Sequence, residues 1–273
     1  MAEKERPLIL LTNDDGIQSP GLWAAAEALS PLGYVTVAAP REQCSGCGRS
    51  MPPDSEGSLR EETVSVRGKE WKVYAVGGSP AQAVLHAILE LMPRRPDLVV
   101  AGINYGENLT TSVTISGTVG AALQGAASGA PAMAISLEMP VEFFETHSTE
   151  IDFSVAAHFT TLFARKLIKK EHFNDVDMLK VDVPCDATPQ TPWRVTRLSR
   201  HPYYIPVVPR RVQLEDAAPI DYEIVLNEET VELDSDVYAL RVERQVSVSP
   251  LSLDLTSRVD LVELEQRLRA ERG

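Results

Sequence analysis

Short apolar runs that stop at turn residues, each followed by a helix-spaced segment, fill the first half of the chain and constrain its fold more than any other feature. Pro7-Leu-Ile-Leu-Leu-Thr12 is a continuous apolar run, as a strand covered on both faces requires. It ends in Asn13-Asp14-Asp15-Gly16, which cannot continue a buried strand. Ser19-Pro20 then reads as an N-cap followed by proline at the first helical position, and Leu22, Ala25, Ala26 and Leu29 keep helical spacing up to Gly33. Tyr34–Ala39 predicts the next strand, and 63–66 and 71–76 are β-rich stretches carrying charges. Ser79-Pro80 repeats the cap signal ahead of Ala83, Val84, Ala87, Ile88 and Leu91, and Pro93 and Pro96 stop that helix. Asp97–Ala101 and Ala132–Leu137 predict two more buried strands, with a small-residue helix opening at Ser116 between them. A helix over about 152–170 follows an acidic loop at 139–150. This alternation predicts an α/β fold: a mostly parallel sheet with helices on both faces.

Beyond that helix the texture changes. Strands are predicted at 178–183, 193–198, 222–226 and 237–242, separated by long polar or proline-bearing connections. Leu261, Leu264 and Leu268 stripe one face of a short closing helix.

Charge narrows the partners. Asp and Glu number 39 against 26 Lys and Arg, a formal net charge of −13. Such a chain repels phosphate backbones and anionic membranes at long range, which argues against DNA, RNA or membrane binding. A small phosphorylated ligand then needs something local to reverse the sign. The first residues hold no basic-then-apolar leader, no apolar stretch is long enough to span a bilayer, and three cysteines do not describe a disulfide-stapled scaffold. A cytoplasmic protein is expected.

Chemistry concentrates at the ends of predicted strands, where ligands bind in open parallel sheets. Asp14 and Asp15 are adjacent carboxylates, expected to be exposed, and they repel one another unless a proton or cation intervenes. Asn, Asp and Gly are also ordinary turn formers, so a plain turn stays open. Asn104, after the strand 97–101, offers a neutral oxygen to a hard cation. Ser116-Gly117-Thr118 places hydroxyls and N–H groups at a helix start, as an anion site or as a simple N-cap. Cys44-Ser45-Gly46-Cys47 lacks the second ligand pair of a zinc site and the strand-to-helix setting of a redox pair. Its Ser45 hydroxyl is the more interesting group. The five histidines are scattered, and no Walker A or G-x-G-x-x-G occurs.

In this order the blocks resemble the SurE family of survival-protein nucleotidases. They are Ile9–Gly16 with Pro20-Gly21, Ser45-Gly46, Gly78-Ser-Pro-Ala81, Pro96–Asn104 continuing through Gly106 and Asn108, and Ser116–Val119, with weaker echoes at 181–184, 195–198 and 246–251. The resemblance implies a Rossmann-like α/β catalytic domain over 1–185. It also implies a smaller C-terminal β-rich segment over 186–273, whose strands, hairpin and terminal helix exchange between subunits of a homodimer or homotetramer. It implies a metal-dependent 5'-nucleotidase acting on nucleoside monophosphates, with 3'-nucleotides or short polyphosphate as further candidates. By that resemblance Asp14, Asp15, Ser45 and Asn104 hold one divalent cation per subunit, Mg²⁺ or Mn²⁺, with Asp14 or Asp15 as proton acceptor. Asn108, Ser116, Gly117 and Thr118 match its phosphate-binding loop. The chain departs from the family pattern at Cys44 and Cys47, at Gln82 where an acid is usual, and at Glu107–Thr111, which carries Glu and Thr. Two other readings stay open: a non-catalytic nucleotide-binding regulator, and a phosphatase using Asp14 as covalent nucleophile.

Overall fold

The computed structural model describes residues 6–140, 143, 148, 150–169 and 174–270. Most of the acidic loop predicted at 139–150, the end of the following helix at Lys170, and His147 and His172 lie outside the described residues.

Among the described residues, nine strands form one sheet. β1 (Leu8–Thr12) lies at its centre, paired in parallel with β2 (Tyr34–Pro40) on one side and β5 (Leu98–Tyr105) on the other. Both of its edges are therefore hydrogen-bonded and both faces covered, which explains an unbroken apolar run. β4 (Lys69–Val76) extends the sheet beyond β2, and β3 (Leu59–Val66) closes that edge as an antiparallel hairpin partner. Beyond β5 come β6 (Ala132–Leu137) and β7 (Met178–Val183), again parallel. The parallel order β4-β2-β1-β5-β6-β7 reverses direction between β1 and β5.

Helices cover both faces. α1 (Pro20–Leu29) and α4 (Ser154–Ile168) pack together on one side, and α2 (Pro80–His86) and α3 (Gly117–Ala127) on the other. The α1 face buries Leu22, Phe159 and Phe163 against Leu11 and Val100; the α2 face buries Val84 and Val119 against Leu10 and Val99. The two Ser-Pro signals behave differently. Ser79 makes a reciprocal capping box with Gln82, whereas Ser19 holds the N-cap position without a side-chain bond. Its Oγ is buried without a hydrogen-bond partner among the described residues.

The second half holds the main departures from the sequence reading. The segment 237–242, expected as a strand, is a helical turn at Tyr238–Val242, because Ser235 Oγ and C=O accept the N–H groups of Tyr238 and Ala239 and start a helix. The strand lies later, as β11 (Val246–Leu251), antiparallel to β7 and flanked in parallel by β8 (Trp193–Val195), which is shorter than expected. β9 (Tyr204–Val207) and β10 (Asp221–Ile224) form a separate antiparallel hairpin. α5 (Leu261–Arg269) ends the described chain with every residue exposed, its leucines included.

Candidate metal centre

The reversal between β1 and β5 opens a crevice at their carboxyl ends, where the chain leaves in opposite directions. Asn13, Asp14 and Asp15 exit β1 there, and Asn104 lies in the last two residues of the neighbouring β5. The β5–β6 register shifts between Ala101 and Asn104, which brings Asn104 level with Ser136. Gly102 makes that shift possible. Its φ is +127°, and a Cβ on it would lie 2.2 Å from the Ile135 carbonyl oxygen.

The carboxylates are not the exposed pair that the sequence suggests: Asp14 is 4% exposed and Asp15 2%. The reason is α3, whose first turn closes over them. Thr118 Oγ1 donates to Asp14 Oδ1, and the N–H groups of Gly117 and Thr118 also bond this side chain. Burial pushes the Asp14 carboxyl above its ordinary value, against the pull of these donors. Burial also pushes Asp15 well up, and the neighbouring charge of Asp14 pushes it further, with a main-chain bond from Tyr105 in opposition. Two buried acids held this close are an unfavourable arrangement for the protein alone, and a cation between them removes both penalties.

The remaining oxygens suit a hard cation. Asn104 Nδ2 donates to the carbonyls of Tyr105 (3.2 Å) and Gly106 (2.8 Å), which leaves its Oδ1 for another partner. The Cys44 N–H donates to the Asp14 carbonyl at 2.8 Å and so brings the Ser45 loop to the same rim. Cys44 and Cys47 form a disulfide that brackets Ser45-Gly46, so neither is a free thiol or a zinc ligand. A set of carboxylate, amide and hydroxyl oxygens fits Mg²⁺ or Mn²⁺ rather than a thiolate-seeking metal. A second acidic group, Glu138 with Asp186 and Cys185, is already neutralised: Arg244 lies 2.6 Å from both carboxylates.

A cavity of about 280 Å³ joins these parts. Asp14, Ser45, Asn104, Asn108 and Ser116 line it with polar groups, Ile115, Tyr204, Tyr222 and Ile224 with apolar or aromatic ones, and Glu107 and Asp221 add two further acids. Asp15, Gly117 and Thr118 do not line it, and the last two lie against Asp14. Ser116 Oγ accepts the Val119 N–H at 3.1 Å, so it is an N-cap whose own hydrogen can still be donated. A larger hollow of about 740 Å³ lies at Trp23, Val64 and Phe153 on the α1 face, lined by neither aspartate.

Sequence reading missed a layer of polar groups beneath the loop 107–110. Asp182 Oδ1 accepts the Asn108 N–H at 2.7 Å, and Asp236 Oδ2 accepts that of Thr110 at 3.0 Å. Glu107 accepts the Tyr203 hydroxyl at 2.8 Å, and burial pushes its carboxyl upward. The available signal was Lys180 and Asp182 inside Met-Leu-Lys-Val-Asp-Val, charges in an otherwise apolar strand.

Fold and site together define the class: a doubly wound α/β protein with an oxygen-lined candidate metal centre at its switch point. The family model described as Survival protein SurE matches residues 9–204. The chain is 41% identical over 263 residues to the 5'-nucleotidase SurE of Thermococcus kodakarensis, covering 96% of this chain and 99% of the relative. It is 44% identical over 261 residues to the 5'-nucleotidase SurE of Archaeoglobus fulgidus, covering 93% and 95%. The crystal structure of the SurE protein from Aquifex aeolicus superposes with a TM-score of 0.75 at 29% identity, covering 96% of this chain and all of that one. The chain belongs to the survival protein SurE family. The sequence expectations of family and of a mostly parallel, Rossmann-like sheet are thus met.

Proposed function

We propose that this chain is a metal-dependent phosphomonoesterase that hydrolyses nucleoside 5'-monophosphates to nucleoside and phosphate. The observation that carries the proposal is the mixed lining of the cavity. The Asp14 carboxylate, the Asn104 and Asn108 amides and the Ser45 and Ser116 hydroxyls suit a cation and a phosphate, and Ile115, Tyr222 and Ile224 suit a nucleoside. Relatives sharing about two-fifths of its residues are named 5'-nucleotidases.

In this reading Asp14, Asp15, Ser45 and Asn104 hold one Mg²⁺ or Mn²⁺ per subunit. When bound, such a cation lowers the pKa of water and neutralises phosphoryl charge. Thr118 and Gly117 fix the Asp14 carboxylate in one orientation. Asp14 or Asp15 is the proton acceptor in this reading. Asn108 and the Ser116 hydroxyl donate to the phosphoryl oxygens. Asp14 is held by Thr118 and serves as a cation ligand in this reading, so it is not free to attack phosphorus, which argues against a covalent role.

The exposed leucines of α5 support assembly into a homodimer or homotetramer through the C-terminal segment. Among the described residues no helix is long and apolar enough to cross a membrane.

Phosphate release from nucleoside 5'-monophosphates, 3'-monophosphates and short polyphosphate, with Mg²⁺, Mn²⁺ or excess EDTA, tests the reading. Release that depends on added cation and is fastest with 5'-monophosphates is expected. Binding without turnover would identify a regulator, undiminished release in EDTA would remove the metal, and a trapped aspartyl-phosphate would restore Asp14 as nucleophile.

A further inference from the structure

Three ionisable side chains lie wholly inside the protein beneath the Asn108 loop. Lys180, Asp182 and Asp236 are each 0% exposed. Lys180 Nζ donates to Asp182 Oδ2 and, at 3.1 Å, to Asp236 Oδ2. Such a cluster is weak support for stability, since a well-packed apolar replacement often does as well. Its distinctive property is direction. Each aspartate spends an oxygen on a main-chain N–H of the same short loop, Asp182 on Asn108 and Asp236 on Thr110. Thr110 sits at φ +62°, an uncommon conformation for a residue with a branched side chain, and so depends on its surroundings.

The sheet register explains why this reaches the candidate metal centre. Asn104 on β5 pairs with Ser136 on β6, and Ser136 with Asp182 on β7. The three stand abreast across the carboxyl end of the sheet. Asn104 faces the cavity, Ser136 Oγ accepts Asn108 Nδ2 at 2.8 Å, and Asp182 accepts the Asn108 N–H. Asn108 is therefore held by side chain and main chain from two adjacent strands. Lys180, anchored to Asp236, keeps Asp182 from turning away.

We propose that Asp182 and Ser136, with Lys180 and Asp236 locking Asp182 in place, are positioning residues that set Asn108 against the phosphate of the substrate. This rests on the nucleotidase reading above. Ser136 is the strand partner of the cation ligand Asn104, whereas Asp182 stands one strand further out and spends its oxygens on Asn108 and Lys180, so Asp182 is the position at which phosphate affinity and metal affinity separate.

The test measures inhibition by inorganic phosphate, KM and kcat for a nucleoside monophosphate, and Mn²⁺ affinity, in the full chain. Asp182→Leu removes the acceptor but leaves Lys180 paired with Asp236, which avoids an uncompensated buried charge. Ser136→Ala removes the second anchor with minimal change in volume and serves if the first variant does not fold. Both should weaken phosphate inhibition and raise KM, by about fivefold for Ser136→Ala and about tenfold or more for Asp182→Leu, as expected for lost hydrogen bonds. In Asp182→Leu, Mn²⁺ affinity should stay within about threefold. The conservative variant Asp182→Asn keeps a neutral acceptor for the Asn108 N–H while Lys180 stays paired with Asp236, and should recover most of the loss. Phosphate inhibition unchanged in folded Asp182→Leu and Ser136→Ala, with only melting temperature lowered, would overturn the positioning role and leave the nucleotidase reading intact. A parent protein that releases no phosphate at all would overturn both.

Discussion

Replacing Gly117 by alanine tests whether the start of α3 sets the position of Asp14. A Cβ on Gly117 would lie 2.6 Å from Asp14 Oδ2 and 2.7 Å from Asp14 Cβ. Ordinary contacts of a Cβ begin at 3.4 Å, so the groups must separate by about 0.8 Å, the difference between 3.4 and 2.6 Å. Asp14 cannot retreat freely. Thr118 holds its carboxylate, and its own carbonyl accepts the Cys44 N–H at 2.8 Å. For stability two effects oppose one another. Alanine is favoured over glycine within a helix by about 0.8–1 kcal/mol, and overpacking costs about 1–3 kcal/mol, so the fold should lose about 2 kcal/mol at most. The consequence at the site is larger. A misplacement of about 1 Å costs on the order of 100-fold in rate, and disturbing the support of a metal ligand costs about 10–100-fold in affinity. Mn²⁺ titration should therefore show affinity lowered about 10–100-fold, and kcat/KM should fall about 100-fold in a protein that remains folded. Gly125→Ala is the control. It lies in the same helix, and its Cβ would meet Val99 Cβ at 2.7 Å, so it disturbs the packing of α3 on β5 without touching Asp14. It should lose stability and keep its Mn²⁺ affinity. Parental Mn²⁺ binding by Gly117→Ala, or equal weakening by Gly125→Ala, would refute the reasoning.

Asp15 should leave a pH signature in the cation-free protein. Its folded pKa lies above the ordinary value of about 3.9, so the native state binds more protons between the two values and stability falls as pH rises through that window. In EDTA, Asp15→Asn should melt above the parent near pH 8, with the gain vanishing by about pH 4, while activity with cation is mostly lost; thermal melts that show no gain at either pH exclude this account. The double Cys44→Ser, Cys47→Ser variant should lose up to roughly 2 kcal/mol from opening a four-residue loop and keep activity within about tenfold; near-complete loss of activity with the fold intact would show that the bridge itself holds Ser45 in place. Light scattering should give a mass that is a multiple of 29.9 kDa, shifting toward the monomer on truncation before Val259; a monomeric full-length protein in dilute solution removes the C-terminal assembly without touching the cation site.

The first half of the fold was legible because its signals are local. A continuous apolar run such as 8–12 means two covered faces, and Ser-Pro marks a helix start whether or not the serine bonds, as Ser79 and Ser19 illustrate. The second half was harder to read for the same reason. Tyr238-Ala-Leu-Arg-Val suits a strand by composition, but Ser235 supplies a helix start three residues before the segment. Ser247 and Ser249 lie wholly buried in β11, where they share the Thr196 hydroxyl, so their strand lacks the apolar signature of β1.

The sequence by itself determined the candidate donors: two adjacent carboxylates after a central strand, an asparagine after another, and a serine–glycine–threonine helix start. Those choices are local, because strand ends and helix caps are written in neighbouring residues. Tertiary structure alone decided what each donor faces. It turned the Gly117 and Thr118 donors onto Asp14, buried both aspartates, and brought Asp182 and Asp236 from 74 and 126 residues away to hold Asn108 and Thr110. Contacts of that range depend on strand order and register, and neither is encoded in the spacing of any one segment.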